Sequence, residues 1–149
     1  MKRVKRLGHK GMTLIEIMVV ITILGLIATV VTVNVMGRLD EARVSTAKTQ
    51  IKALESALDN FRRDNGFYPS TEQGLKALIE APTSGRVPKS YPKGGYLKGG
   101  KVPQDPWRTD YIYYSPGIYG HDYELISHGA DGQEGGEDSD ADVKSWEIQ

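Results

Sequence analysis

Residues 8–38 read GHKGMTLIEIMVVITILGLIATVVTVNVMGR, and the architecture of the whole chain follows from this stretch. From Ile17 to Gly37 there are 21 consecutive residues without a charge. As a helix rising about 1.5 Å per residue they reach roughly 31 Å, one hydrocarbon thickness. Five bases, Lys2, Arg3, Lys5, Arg6 and Lys10, precede the run with no acid among them. That asymmetry orients the N-terminus toward the cytoplasm and the remainder of the chain to the far side, so a single membrane-spanning helix is expected. One acid, Glu16, stands at the start of the apolar run. An unpaired carboxylate in hydrocarbon costs several kcal/mol or takes up a proton, which makes Glu16 a functional position rather than a neutral one.

Beyond the run, Ala47, Ile51, Leu54, Leu58 and Phe61 recur in steps of four and three among Lys, Arg, Glu and Ala. This is the apolar stripe of a helix packing on a globular head. One helix from Met12 to Arg63 would hold 52 residues and run about 78 Å. Asn65-Gly66 supplies the stop, because glycine readily takes the left-handed conformation of a C-cap. Ser70 with Gln73 reads as a capping box opening a short helix through Leu75, Leu78 and Ile79 that ends before Pro82. Residues 81–106 carry five of the seven prolines and read as a loop, ordered or mobile. YIYY at 111–114 and YELIS at 123–127 read as antiparallel strands joined across Pro116-Gly117 and Gly120, with a third strand at 146–149. The fold class is α+β: a long N-terminal helix packed on a small antiparallel sheet.

Composition excludes several functions. The 149 residues contain no cysteine, so disulfides, thiolate metal sites and a Cys nucleophile are ruled out. Overall, 19 bases balance 19 acids. Past residue 11, though, the balance is 14 bases against 19 acids, and from Asp131 onward seven acids face the single base Lys144. The head lacks basic residues interleaved with aromatics, which argues against nucleic acid as a partner. GYLKGGKV at 95–102 satisfies G-x-x-x-x-G-K by letter, yet no Ser or Thr follows and Pro103 blocks the helix start. It reads as a glycine-rich turn. His9, His121 and His128 have no carboxylate or hydroxyl constellation legible in sequence, and no paired acids or nucleophile signature stands out, so no enzyme is expected.

The order basic leader, Lys10-Gly11, Met12-Thr13-Leu14-Ile15-Glu16, then apolar run resembles the type IV pilin and pseudopilin signal. The resemblance implies that a prepilin peptidase cuts after Gly11 and that the new amine on Met12 is methylated while the helix is retained. Glu16 then becomes residue five of the mature chain, with the Met12 amine of a neighbouring subunit as its partner. The other reading of Glu16 is an acid at headgroup level beside a plain signal anchor. Farther along, GFYPSTEQGLKAL, VPQDPW, YYSPG, GADGQEGG and DVKSW are similar to the major pseudopilins of the type II secretion system. Two departures stand out: Arg108-Thr109-Asp110 replaces the usual Gly-Asn-Pro after Asp-Pro-Trp, and His128 stands where an apolar residue is common.

The acidic loop SHGADGQEGGEDSDADVKSW offers hard oxygens on a chain able to turn sharply, which is what calcium takes. It is not an EF-hand, since Gln133 and Gly135 replace two expected ligands. The resemblance implies calcium here, with Asp131 first, Asp138 and Asp140 next, and carbonyls of His128, Gln133 and Gly136 completing the set. Asp142 is left open between ligand and turn cap. A solvated acidic segment is the alternative reading.

Three regions are therefore expected: a leader at 1–11, a transmembrane and filament-core helix at 12–37, and a periplasmic head at 38–149. The resemblance implies a homopolymeric periplasmic pseudopilus that drives protein export from the inner membrane. Its partners would be minor pseudopilins, the inner-membrane secretion platform, the peptidase and membrane lipid. A surface type IV pilin or a signal-anchored calcium-dependent binding module are the rival readings. Gly25 and the β-branched run 29–33 lower helix propensity, so local unwinding is expected there in the filament. Ordinary transmembrane composition accounts for the same residues.

Overall fold

The computed structural model describes residues 11–148, and for residues 30–36 the backbone only. The leader reading for residues 1–10 lies outside the described residues, as does Gln149 at the end of the expected third strand. The chain divides between Leu39 and Asp40 into two units.

Helix α1 spans Leu14–Asn65, 52 residues, the expected length shifted by two. It starts late because Met12 and Thr13 lie outside it, Thr13 as its cap. It stops at Gly66, whose φ of 80° and N–H to the Arg62 carbonyl (2.6 Å) close the last turn. In the first unit the apolar side chains Leu14, Ile15, Leu24 and Leu26 are exposed. Thr22 and Thr29 donate their hydroxyls to the carbonyls of Met18 and Gly25 one turn earlier (2.8 and 3.0 Å). Through residues 29–33 the helix is continuous. Among the described residues no helix is long and apolar enough to cross a membrane; part of the 12–37 span, residues 30–36, has no described side chains.

The second unit carries the core. Ala47, Ile51, Leu54, Leu58 and Phe61, the five residues of the predicted stripe, are all fully buried. Each large one contributes roughly 1.5–3 kcal/mol by leaving water. They meet Leu75, Leu78, Tyr111, Tyr113, Leu125 and Val143. The sheet is antiparallel in the order β1 (Ile112–Tyr114), β2 (Glu124–Ser127), β3 (Val143–Lys144). The pairs Tyr113↔Leu125 and Ile126↔Lys144 set its register.

Two elements differ from expectation. The third strand is Val143–Lys144, followed by a 3-10 turn at Ser145–Glu147 rather than a strand from 146. The cause is local: the Leu125 amide donates to Ser145 Oγ (3.2 Å) instead of to a backbone carbonyl, so the ladder cannot run on. The Ser70–Gln73 capping box forms, with Ser70 N–H to Gln73 Oε1 (3.0 Å) and Gln73 N–H to Ser70 Oγ (3.3 Å). It opens a turn and the 3-10 helix Leu75–Leu78 rather than an α-helix. Gly74 interrupts at φ 59°, ψ −170°.

Residues 81–106 contain no helix or strand, yet the loop is anchored. The Tyr96 and Leu97 amides donate to the Leu78 carbonyl (2.7 and 3.3 Å), and the Asn65 side chain accepts from Ser90 N–H (3.1 Å). Asp105, 4% exposed, closes the Asp-Pro-Trp turn. Its Oδ1 accepts from the Trp107 and Thr109 amides, and its Oδ2 from the Ser127 hydroxyl. Arg108 sits at φ 70°, so the arginine found where the resembled family has glycine is held in a glycine-like conformation at a steric cost of about 1–2 kcal/mol.

Candidate functional site

Two places bear on function, the start of α1 and the acidic loop between β2 and β3. At the first, Thr13 and Glu16 form a reciprocal capping box. Glu16 N–H donates to Thr13 Oγ1 (3.3 Å), while Glu16 Oε2 accepts from Thr13 N–H (3.0 Å) and from the Thr13 hydroxyl (3.2 Å). A carboxylate here also faces the positive end of the helix dipole. The letters T-L-I-E already carry this signature. The same four residues fall within the N-terminal methylation motif, which overlays the cap in the sequence. Gly11 and Met12 precede the helix and are exposed, so the junction between them is accessible.

The acidic loop leaves β2 at His128 and returns at Asp142, one residue before β3. It is built from tight turns: the Gly132 amide donates to the His128 carbonyl (3.2 Å), Ala130 N–H to the Ser139 carbonyl (3.0 Å) and Asp140 N–H to the Glu137 carbonyl (3.0 Å). Gly136, at φ 84°, packs directly on the Asp140 backbone. A Cβ there would stand 2.7 Å from the Asp140 carbonyl carbon, so this turn admits glycine alone. Asp131 is exposed and takes the Gln133 amide on Oδ1 (3.0 Å). Asp138, also exposed, opens the 3-10 turn Asp138–Asp140 at φ 54°, and Asp140 closes it half-buried.

Among the described residues no three acidic, His or Cys side chains are gathered closely enough to hold a metal ion. The loop thus brings Asp131, Asp138 and Asp140 onto one short segment without converging them. The donor chemistry, carboxylates and carbonyls on a turning chain, fits a hard divalent cation. Asp142 behaves differently from its neighbours. Its side chain is 4% exposed and accepts His128 Nδ1–H on Oδ1 (2.9 Å) and Gly135 N–H on Oδ2 (3.1 Å), with Lys144 Nζ at 3.8 Å.

A third polar cluster lies on the head face of α1. Arg62 reaches Asp122 (2.9 Å) and the Tyr68 hydroxyl (3.2 Å), and that hydroxyl donates to Asp59 (2.8 Å). One turn away, Glu55 has its pKa raised from 4.5, first by burial and then by the Asp59 charge, with Lys52 and the Tyr123 hydroxyl opposing. The folded head therefore binds this proton more tightly than the unfolded chain does. Ionised Glu55 weakens the head above the folded pKa, and the penalty disappears below the unfolded one. Glu55→Gln is accordingly expected to raise the melting temperature at about pH 7 and to have no effect by about pH 4. Equal gains at both values would exclude this origin.

Residues 34–146 match the family described as Type II secretion system (T2SS), protein G. Residues 6–32 match the prokaryotic N-terminal methylation motif. The chain is 51% identical over 143 residues to the type II secretion system core protein G of Pseudomonas aeruginosa, covering 96% of this chain and 99% of that one. It is 46% identical over 149 residues to the core protein G of Vibrio cholerae, covering 100% and 98%. Its fold is similar to the crystal structure of the major pseudopilin from the type 2 secretion system of enterohaemorrhagic Escherichia coli. The TM-score is 0.64 at 42% identity, over 76% of this chain and 94% of that chain.

Proposed function

This chain belongs to the family of type II secretion system protein G, the major pseudopilins, and on that premise we propose how its two ends serve the filament. The protein is a structural subunit of the pseudopilus, not an enzyme. Before assembly it is held in the inner membrane by residues 12–37, with its N-terminus cytoplasmic and the head, 38–149, periplasmic. The prepilin peptidase removes residues 1–11 after Gly11 and methylates the Met12 amine. The freed amine of one subunit then pairs with Glu16 of the next, which neutralises both charges as the helices pack out of the lipid. Minor pseudopilins and the inner-membrane platform are the other partners. The growing filament moves folded proteins outward, powered by a cytoplasmic ATPase on a different chain.

The observation that carries this reading is the methylation motif at 6–32, within which Gly11, Met12 and Glu16 keep the required spacing. The test is the mass of the N-terminal peptide from membranes of cells with and without the peptidase. A chain beginning at methylated Met12 only when the peptidase is present is the expected result. A retained leader in both strains overturns the scheme.

In the head, calcium is held by Asp131, Asp138 and Asp140, with the carbonyls of His128, Gln133 and Gly136. The hard-oxygen chemistry of the loop supports this assignment. When bound, the ion supplies positive charge that offsets the mutual repulsion of these acids. Adding calcium to the EDTA-stripped chain should slow amide exchange across 128–142, and unchanged exchange removes the metal.

A further inference from the structure

We infer that His128 is a positioning residue whose ring holds the Asp142 carboxylate and thereby keeps the acidic loop closed, independently of any cation. The Asp142 side chain is almost wholly buried, at 4% exposure. Asp131, Glu134, Glu137 and Asp138 are exposed, and Asp140 is half-buried. A carboxylate out of water must have its oxygens occupied by donors. Asp142 has two such bonds, and they come from opposite parts of the loop. His128 Nδ1 lies 2.9 Å from Oδ1 at the loop entrance, and the Gly135 amide lies 3.1 Å from Oδ2 at its midpoint. An ionised carboxylate has no proton to give, so Nδ1 carries the hydrogen and donates.

Gly135 returns the contact by accepting Asp142 N–H on its carbonyl (3.1 Å). Entrance, midpoint and exit are therefore tied at one carboxylate, next to the point where Ser127 pairs with Val143 in the sheet. Lys144 adds charge from 3.8 Å, beyond hydrogen-bond reach, on a side chain 30% exposed. An apolar side chain at 128 would leave Oδ1 buried without its donor, and the loop would open to rehydrate it. Asparagine places its Nδ2 donor the same number of bonds from the backbone as the histidine Nδ1, so it can restore the bond without the ring.

The test is hydrogen–deuterium exchange of the full chain in detergent micelles at constant pH, in EDTA and in excess calcium chloride, for wild type, His128→Leu and His128→Asn. In EDTA, peptides covering 129–142 are expected to exchange roughly 10-fold faster in His128→Leu, the equivalent of one lost buried hydrogen bond. His128→Asn should recover most of the protection, and peptides covering 47–61 of α1 should not change. A leucine variant as protected as wild type in EDTA overturns the inference. So does an asparagine variant as loose as the leucine one, since packing alone would then account for the effect. Should leucine loosen the 47–61 peptides as well, His128→Asn decides. The EDTA arm does not depend on the calcium reading: wild type indifferent to calcium refutes the metal and leaves the clasp standing.

Discussion

Glu16→Ala is expected to abolish pseudopilus assembly while leaving the head folded. The head is safe because its core, from Ala47 to Val143, lies in the second unit, and Glu16 touches only Thr13 in the described contacts. Assembly is not: on the proposed pairing, the alanine chain leaves the neighbouring Met12 amine buried without its counter-charge. Breaking one side of such a pair costs about 3–5 kcal/mol, which lowers the equilibrium for subunit addition by roughly 10²–10⁴-fold. The capping role complicates a simple reading of alanine, since losing the cap alone costs about 0.5–2 kcal/mol in the first turn. Glu16→Gln separates the two. Glutamine completes a capping box as glutamate does but brings no charge. Pseudopili sheared from cells and quantified by immunoblot should be absent for both variants, with circular dichroism confirming folded heads. A glutamine variant that assembles like wild type would reduce Glu16 to a helix cap.

The second large effect lies in the head. Glu124 is fully buried in the central strand β2, and its two oxygens accept the Ile118 amide (2.9 Å) and the Tyr119 amide (2.6 Å) of the β1–β2 connection. Glu124→Ala removes the acceptor of both amides and with it the hold on that connection. At about 1.5 kcal/mol or more for each hydrogen bond to a charged group, the expected loss is roughly 3 kcal/mol. In a head of this size that corresponds to roughly 10–15 °C in melting temperature. Gly117→Ala probes the same contact from the other side, since its Cβ would stand 2.6 Å from Glu124 Oε1. Thermal unfolding of the full chain in detergent is the measurement. A fall of less than about 3 °C for Glu124→Ala would mean that the loop satisfies its amides another way.

Much of the fold is written in local patterns. The stripe Ala47, Ile51, Leu54, Leu58 and Phe61 repeats at the helical period, and all five are buried because a helix can turn only one face to the head. Ser70 and Gln73 pair as their spacing requires, and β1 and β2 occupy the two aromatic and β-branched runs. The misplaced third strand shows where pattern fails. Trp146 and Ile148 look like strand residues, but Ser145 Oγ takes the Leu125 amide, and no periodicity announces that a side chain will end a ladder. Thr13 and Glu16 are the opposite case, a legible signature passed over because a second signal overlays it.

The amino-acid sequence by itself determined the helix and its buried face, the two main strands, the N-terminal methylation motif and the concentration of acids at 131–142, since each is a matter of spacing or local charge. Only the tertiary structure decided which polar groups are buried and who satisfies them. Asp105 meets Ser127 22 positions away, and His128 meets Asp142 across 14. Glu124, one more acid in a strand by sequence, is fully buried because β2 is the middle of the sheet. A buried carboxylate is stable only where folding gathers its donors, and such gathering depends on the path of the whole chain rather than on the residues beside it.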